Sequence, residues 1–168
     1  MDVRTAACVC GKVQFKALGS PAVSSVCHCD DCQAGARAIE ALPHASPVLD
    51  AYGGTPFVVF RDDRFSCVQG EELLQGYKLG DEAPTTRYVA SCCNSAMYLK
   101  YAPGWWKSVY RGRFADALPP PVMRYQIEHL PAGVEPPADL PTYKGFPRRL
   151  LTKLIWARIG MAFGRSRR

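Results

Sequence analysis

At 168 residues with 48% hydrophobic content, the chain carries enough apolar material for one globular domain with a true core. Its 14 Gly, 14 Pro and 11% aromatic residues favour short strands and turns and exclude a plain helical bundle. The net charge of +6 is concentrated at one end: of 21 Lys and Arg, seven (Arg148, Arg149, Lys153, Arg158, Arg165, Arg167 and Arg168) lie in residues 145–168, which hold no acid. Residues 1–144 therefore balance 14 basic against 15 acidic groups, and a neutral body offers no face for nucleic acid.

Met1 to Ala7 contains no apolar run of signal-peptide length, which predicts a reducing, cytoplasmic setting where cysteines serve as thiols or metal ligands rather than disulfides. Cys8-Val9-Cys10-Gly11 leads into Lys12–Ala17, an alternating run that predicts a strand with Val13, Phe15 and Ala17 on one face. In an extended or turning segment residues i and i+2 point the same way, so Cys8 and Cys10 can grip one ion together. Gly19-Ser20-Pro21 predicts a turn and Ala22–Val26 a short strand.

Then comes Val26-Cys27-His28-Cys29-Asp30-Asp31-Cys32-Gln33. On a loop running into a helix, C-x-C-x-x-C brings three sulfurs to one concave side of the backbone, within reach of a tetrahedral ion at about 2.3 Å. Three protein ligands leave one corner open, the mark of a zinc site that handles water or a substrate thiolate. The plainer alternatives are buried thiols, a disulfide with a spare cysteine, or a site closed by a nearby fourth ligand such as His28.

Gln33–Leu42 predicts a short Ala-rich helix stopped by Pro43, with His44 isolated on the following loop. Ala51–Thr55 is a tight turn containing Gly53-Gly54. Phe57–Phe60, Arg64–Val68 and Leu73–Leu79 predict strands separated by Arg61-Asp62-Asp63 and Gln69–Glu72, with Cys67 as a small core hydrophobe. Thr86–Ala90 and Ala96–Tyr101 flank Ser91-Cys92-Cys93-Asn94-Ser95. Adjacent side chains in an extended chain point apart, but a tight turn permits both to ligate, so Cys93 and Cys92 are candidates to join Cys8 and Cys10. Such a site would pin the N-terminal strand to a distant hairpin, making binding energy into folding energy.

Trp105, Trp106, Val109 and Tyr110 predict a strand with aromatic cover, or the wall of a ligand pocket. Residues 116–145 are Pro-rich and read as an extended connection; His129 within them has no partner spacing. From Pro147 the chain predicts an amphipathic helix with Leu150, Leu151, Leu154, Ile155 and Ile159 on one face, too short and charged to span a bilayer. It would dock on its own domain or on a second subunit as a homodimer, with an anionic membrane surface or nucleic acid as less favoured partners. Arg165, Arg167 and Arg168 are expected to fray. The division is thus 1–115, 116–145 and 146–168.

The succession C-x-C-G-x-V-x-F, C-H-C-D-D-C and an Arg-Tyr strand leading to a Cys-x-Ser turn, over roughly residues 5–115, resembles the glutathione-dependent formaldehyde-activating enzyme family, which includes the centromere protein V domain. The resemblance implies a mainly β, Mss4-like β-tent of two small antiparallel sheets. It implies a catalytic-type zinc at Cys27, Cys29 and Cys32, and a structural-type zinc at Cys8, Cys10 and a later C-x-x-C pair. In this chain Cys93 aligns with the second member of that pair and Ala90 stands where the first belongs, with Cys92 as a substitute. The implied activity is a carbon–sulfur lyase, S-(hydroxymethyl)glutathione synthase-like, with glutathione or a similar small thiol as partner. Zinc on three thiolates is a soft centre, better suited to a thiolate than to making hydroxide. Asp30 and Asp31 flank the ligands as general acid–base candidates or as supporting groups. The alternatives are a non-catalytic zinc-stabilised binding module and a metal or redox sensor using Cys92-Cys93.

Overall fold

The computed structural model describes residues 2–164; Arg165, Arg167 and Arg168 lie outside the described residues. Eleven strands and two α-helices follow in chain order: β1 (Val3–Ala7), β2 (Gln14–Leu18), β3 (Val23–Cys27), α1 (Asp30–Glu40), β4 (Thr55–Arg61), β5 (Phe65–Gln69) and β6 (Leu74–Tyr77), then β7 (Thr85–Ala90), β8 (Ser95–Tyr101), β9 (Trp106–Tyr110), β10 (Arg124–Tyr125), β11 (Thr142–Tyr143) and α2 (Arg148–Gly164). They form a three-stranded sheet, β1-β2-β5, and an eight-stranded sheet, β11-β10-β3-β4-β9-β8-β7-β6. The fold is mainly β with two sheets, as the sequence implies. The second sheet is larger than expected, and β10 pairs in parallel with both β3 and β11 at its edge.

The alternation of β2 places Phe15 and Ala17 on one face, where they meet Val58, Phe60, Phe65, Met97, Tyr98 and Val109. This is the core between the sheets: Phe15 stacks on Phe65 at 4.7 Å and meets Tyr98 edge-on at 5.4 Å. The opposite face of the large sheet presents Phe57, Val89, Leu99 and Tyr110 to Ile39 of α1. Further along that face Val23, Val59 and Met123 receive Leu150 of α2. The centre of the large sheet is therefore covered on both sides, which explains why β4 is apolar without interruption at Phe57-Val58-Val59-Phe60 and why β3 is buried at every position.

Three local departures from the sequence reading have physical causes. Helix α1 begins at Asp30, not Gln33, because Cys29 is extended and caps it, while Asp30 and Asp31 in the first turn favour the positive end of the helix dipole. Residues 116–145 run largely without regular structure yet contribute β10 and β11, through Val26 N–H to Met123 O and His28 N–H to Tyr125 O, both 3.0 Å. Helix α2 docks through Leu150, Leu154 and Ala157 rather than through the whole expected face; Leu151 and Ile155 are exposed. No helix among the described residues is long and apolar enough to cross a membrane.

Candidate functional site

Strand β3 ends at Cys27 and α1 starts after Cys29, so the first cluster sits where a buried strand hands over to a helix N-terminus. Cys27 Sγ and Cys29 Sγ are 3.4 Å apart, and the sulfurs of Cys27, Cys29 and Cys32 all lie within 4.8 Å of one another. The Cys32 N–H donates to Cys29 Sγ at 3.4 Å, adding a backbone dipole to that sulfur. Three thiols this close cannot all ionise unaided. The hydrogen bonds of Cys27 and Cys32 hold the Cys29 thiol far below the usual range. Cys27 is pushed up chiefly by its contact with Cys29 and by burial, against an opposing contact with Cys32, whereas Cys32 is pushed up by Cys27, by Cys29 and by burial.

Residues distant in sequence hold this loop in place. The Gln33 amide, buried, donates to His28 O and to His129 O, both at 2.7 Å, and its oxygen accepts from Arg37 Nη2 at 2.9 Å. It thereby ties the loop around residue 129 to the cysteine turn. Arg87, 3% exposed, donates to Asp31 O and has no carboxylate partner among the described residues. Its guanidinium fits under α1 only because residue 35 is glycine: a Cβ there would lie 1.9 Å from Arg87 Nε. His129 Nδ1 is 2.7 Å from Asp30 Oδ2. Gln33 and His129 carry no signal in the sequence, and Arg87 carries one only as the arginine of the Arg-Tyr strand, since each acts through a partner brought in by the sheet. Asp30 joins His129, whereas Asp31 offers its backbone carbonyl to Arg87.

The cluster opens onto a cleft of ≈ 640 Å³ on the helix-covered face of the large sheet. Its floor includes Phe57, Val59, Leu99 and Ser108; α1 with its thiols forms one side and α2 with Leu150, Leu151 and Leu154 the other. Trp106, offered above as core or pocket wall, is half-buried and lines this cleft. His28 is not brought into the cluster. It is fully buried on the other side of the chain, against Val26 and Gly54, with neither ring nitrogen hydrogen-bonded, and burial lowers its pKa. His44 is exposed in a left-handed turn with φ of 60°, outside both clusters.

The second cluster joins Cys8, Cys10, Cys92 and Cys93, all four sulfurs within 4.8 Å of one another. Cys8 Sγ is 3.5 Å from Cys10 Sγ and 3.8 Å from Cys92 Sγ; Cys10 and Cys92 are 3.3 Å apart, Cys92 and Cys93 3.9 Å. A tight turn, closed by Asn94 at φ of 52°, lets the two adjacent cysteines face the same point. Each half is fastened: Val13 N–H donates to Cys8 Sγ at 3.3 Å, and Val9 N–H to Ser95 Oγ at 3.1 Å. Ala90, where the family pattern calls for cysteine, is fully buried in the inter-sheet core. Cys67 belongs to neither cluster; it is half-buried against the core, 3.3 Å from Gln69 O.

Four sulfurs at about 2.3 Å from one zinc are about 3.8 Å apart. The separations in both clusters fall around that value, so each donor set fits a soft metal ion, with four thiols available in one and three in the other.

The chain is mainly β with two thiol clusters that could each hold a metal ion, one where its two sheets meet and one at a helix N-terminus. Within it, residues 3–48 match the family model described as glutathione-dependent formaldehyde-activating enzyme. That segment contains C-x-C-G and C-H-C-D-D-C, so the family resemblance read from these motifs is borne out there. No curated protein matches the chain. Among solved structures it is similar to a Rhodobacter sphaeroides protein solved as a structural-genomics target, at 18% identity, 68% coverage of this chain, 91% of that one and a TM-score of 0.48. That likeness is too loose to bear on the site.

Proposed function

We propose that the chain is a carbon–sulfur lyase-type enzyme acting on the adduct of an aldehyde with glutathione or another thiol, with zinc held by Cys27, Cys29 and Cys32 and a structural zinc by Cys8, Cys10, Cys92 and Cys93. The observation that carries the reading is the contrast in donor number. Four thiols meet in the inter-sheet cluster, whereas the three at the α1 N-terminus have no fourth protein ligand among the described residues and face the cleft. Zinc on three thiolates would supply a soft cation at which a substrate sulfur stays deprotonated.

The chain's own residues supply the rest. The start of α1 and the Cys32 N–H favour negative charge on Cys29. Arg87, buried without a carboxylate, offsets the charge of the thiolate set. Gln33 fixes the spacing between the cysteine turn and His129. In the lyase direction the C–S bond of HO–CHR–SR′ breaks with its electron pair remaining on sulfur. The hydroxyl gives up its proton as the carbonyl forms. His129 lines the cleft with Nδ1 2.7 Å from Asp30 Oδ2 and Nε2 3.7 Å from Glu128 Oε1, and would take that proton at Nε2. Because thiols add to aldehydes unaided, positioning in the cleft accounts for much of the expected acceleration.

The convergence of Cys92 and Cys93 with Cys8 and Cys10, all four sulfurs within 4.8 Å of one another, supports a ligand role for the pair over that of a sensor. Zinc content per chain tests the proposal, measured on protein purified without chelator and on Cys29→Ala and Cys10→Ala, beside turnover of thiol–aldehyde adducts. The expected result is two zinc ions, with Cys29→Ala losing one ion and all turnover while remaining folded. Full turnover in Cys29→Ala, or a cysteine triad that takes up no zinc even with added thiol, overturns the enzyme reading in favour of a binding module.

A further inference from the structure

We propose that the substrate bound in this cleft carries an apolar chain, lying along the sheet between α1 and α2, so that the adduct is one of a hydrophobic aldehyde or hydrophobic thiol. The inference rests on the reading above for the reacting end of the molecule and adds the class of the other end. A one-carbon aldehyde occupies about the volume of one or two waters, ~30 Å³ each. The cleft, at ≈ 640 Å³, is in the range that encloses a much larger ligand.

Its chemistry is graded along its length. Cysteine sulfurs, Asp30, Asp31, Arg87 and His129 gather at the α1 end. Away from them the walls are Val59, Trp106, Leu150 and Leu154. Register gives the span: Cys27 pairs with Thr55 and Val23 with Val59, so four residues of β4 separate the thiol row from the Val59 row. At about 3.3 Å per residue the floor runs ~13 Å. One Cα-to-Cα step of about 3.8 Å spans three bonds, so a chain of roughly ten bonds reaches from the sulfurs to the row of Val59 and Ser108, where Leu150 of α2 packs.

Glutathione by itself matches these walls poorly. It brings two carboxylates and one ammonium, yet among the described lining residues Arg87 is the single Arg or Lys, offset by two aspartates. The apolar side, by contrast, presents surface left exposed by the described residues: Phe146 is 59% and Leu151 47% exposed, although both lie on the cleft wall. Helix α2 is anchored there by buried Leu150, the Trp105 Nε1 hydrogen bond to Leu154 O at 3.3 Å and Arg158 over the Trp105 ring. A fixed apolar wall beside a reactive cluster is complementary to a chain that starts at the sulfur and leaves water along the wall.

The test is calorimetric titration of the zinc-loaded full chain with ethanethiol, 1-butanethiol and 1-hexanethiol, beside glutathione and the matching 1-alkanols. Affinity for the thiols is expected to rise about fourfold per added methylene, and Leu151→Glu to flatten the series. Thiols that bind wild type but not Cys29→Ala, with affinity independent of chain length, overturn the apolar-chain inference and leave the proposed chemistry standing. Should no thiol bind, the proposed chemistry falls and the alkanols decide the cleft. A length-dependent rise abolished by Leu151→Glu supports an apolar-chain site, and a flat series overturns it.

Discussion

The two cysteine clusters use the same atom for opposite ends. Cys8, Cys10, Cys92 and Cys93 come from two turns 80 residues or more apart in sequence and meet beside the inter-sheet core. Cys27, Cys29 and Cys32 come from one turn, and every contact among them is local. A buried or half-buried arginine accompanies each. Arg113 lies by the thiols of Cys8 and Cys93, with burial lowering its pKa and those thiols raising it; Arg87 lies under α1 beside Cys29. An ion in the first cluster would close a long loop of chain, so its binding free energy would become folding free energy. An ion in the second would close a loop of six residues that β3 and α1 already fix, so little of the fold depends on it. Donor number and loop length thus point the same way: one site suits architecture and the other suits exchange.

The largest expected effect breaks this contrast directly. Cys92→Ser removes one of four donors from the long-range cluster, and the chain is expected to lose one zinc together with cooperative folding, since structural zinc sites supply about 10–16 kcal/mol in zinc-finger peptides. Cys29→Ser is expected to lose one zinc while circular dichroism and the thermal transition stay close to wild type. Equal destabilisation by the two variants, read from thermal melts with metal analysis, would show that the clusters do not divide the labour.

Next in size is Gly35→Ala. Its new Cβ would collide with Arg87 Nε, Cδ and Cζ, and Arg87 is too enclosed to swing away freely. Overpacking of this kind costs about 1–3 kcal/mol. Zinc affinity should fall at the three-thiol site and hold at the four-thiol site, as read by stepwise chelator competition. Gln33→Ala follows, at about 1–3 kcal/mol for three lost hydrogen bonds, one of them from exposed Arg37. It should uncouple the loop around residue 129 from the cysteine turn, lowering thiol–aldehyde turnover more than the melting temperature.

His129→Gln sharpens the comparison at lower cost. The side chain is partly exposed and its contact with Asp30 is near the surface, so stability should move by less than about 1 kcal/mol. Zinc content should remain unchanged. If His129 takes the hydroxyl proton, kcat falls and its pH dependence flattens while KM holds. A variant with an unaltered pH profile would reduce His129 to a wall of the cleft.

These residues also mark where sequence reading stops. C-x-C-x-x-C declares its cluster because its geometry is local, and the alternation of Phe15 and Ala17 declares the inter-sheet face for the same reason. Gln33 could not declare its bond to His129, 96 residues away, nor Arg87 its bond to Asp31, 56 residues away, because only the sheet order brings them together. Cys92 was legible as a substitute donor, but its approach to Cys8 and Cys10 depends on the turn at Asn94. The stripe on α2 failed in a different way. The helix is apolar on more than one side, so periodicity could not choose between Leu150 with Ala157, which are buried, and Leu151 with Ile155, which are not.

The smallest expected effect is also the cleanest count. Seven of the eight cysteines fall in the two clusters, and the eighth, Cys67, sits on β5 with its sulfur near backbone carbonyls of Gln14 and Gln69. A serine hydroxyl can donate to the same carbonyls, so Cys67→Ser should change stability by about 1 kcal/mol or less and leave zinc content untouched. Metal-bound thiolates react slowly with a disulfide reagent while a ligand-free thiol is available, so native wild type should release about one equivalent of chromophore and Cys67→Ser close to none. Adding chelator should raise the two proteins to eight and seven equivalents, in line with their cysteine content. If native wild type instead releases about four equivalents and Cys67→Ser about three, the three-thiol site is vacant in the purified protein. The asymmetry between the clusters would then be one of affinity as well as of donor number.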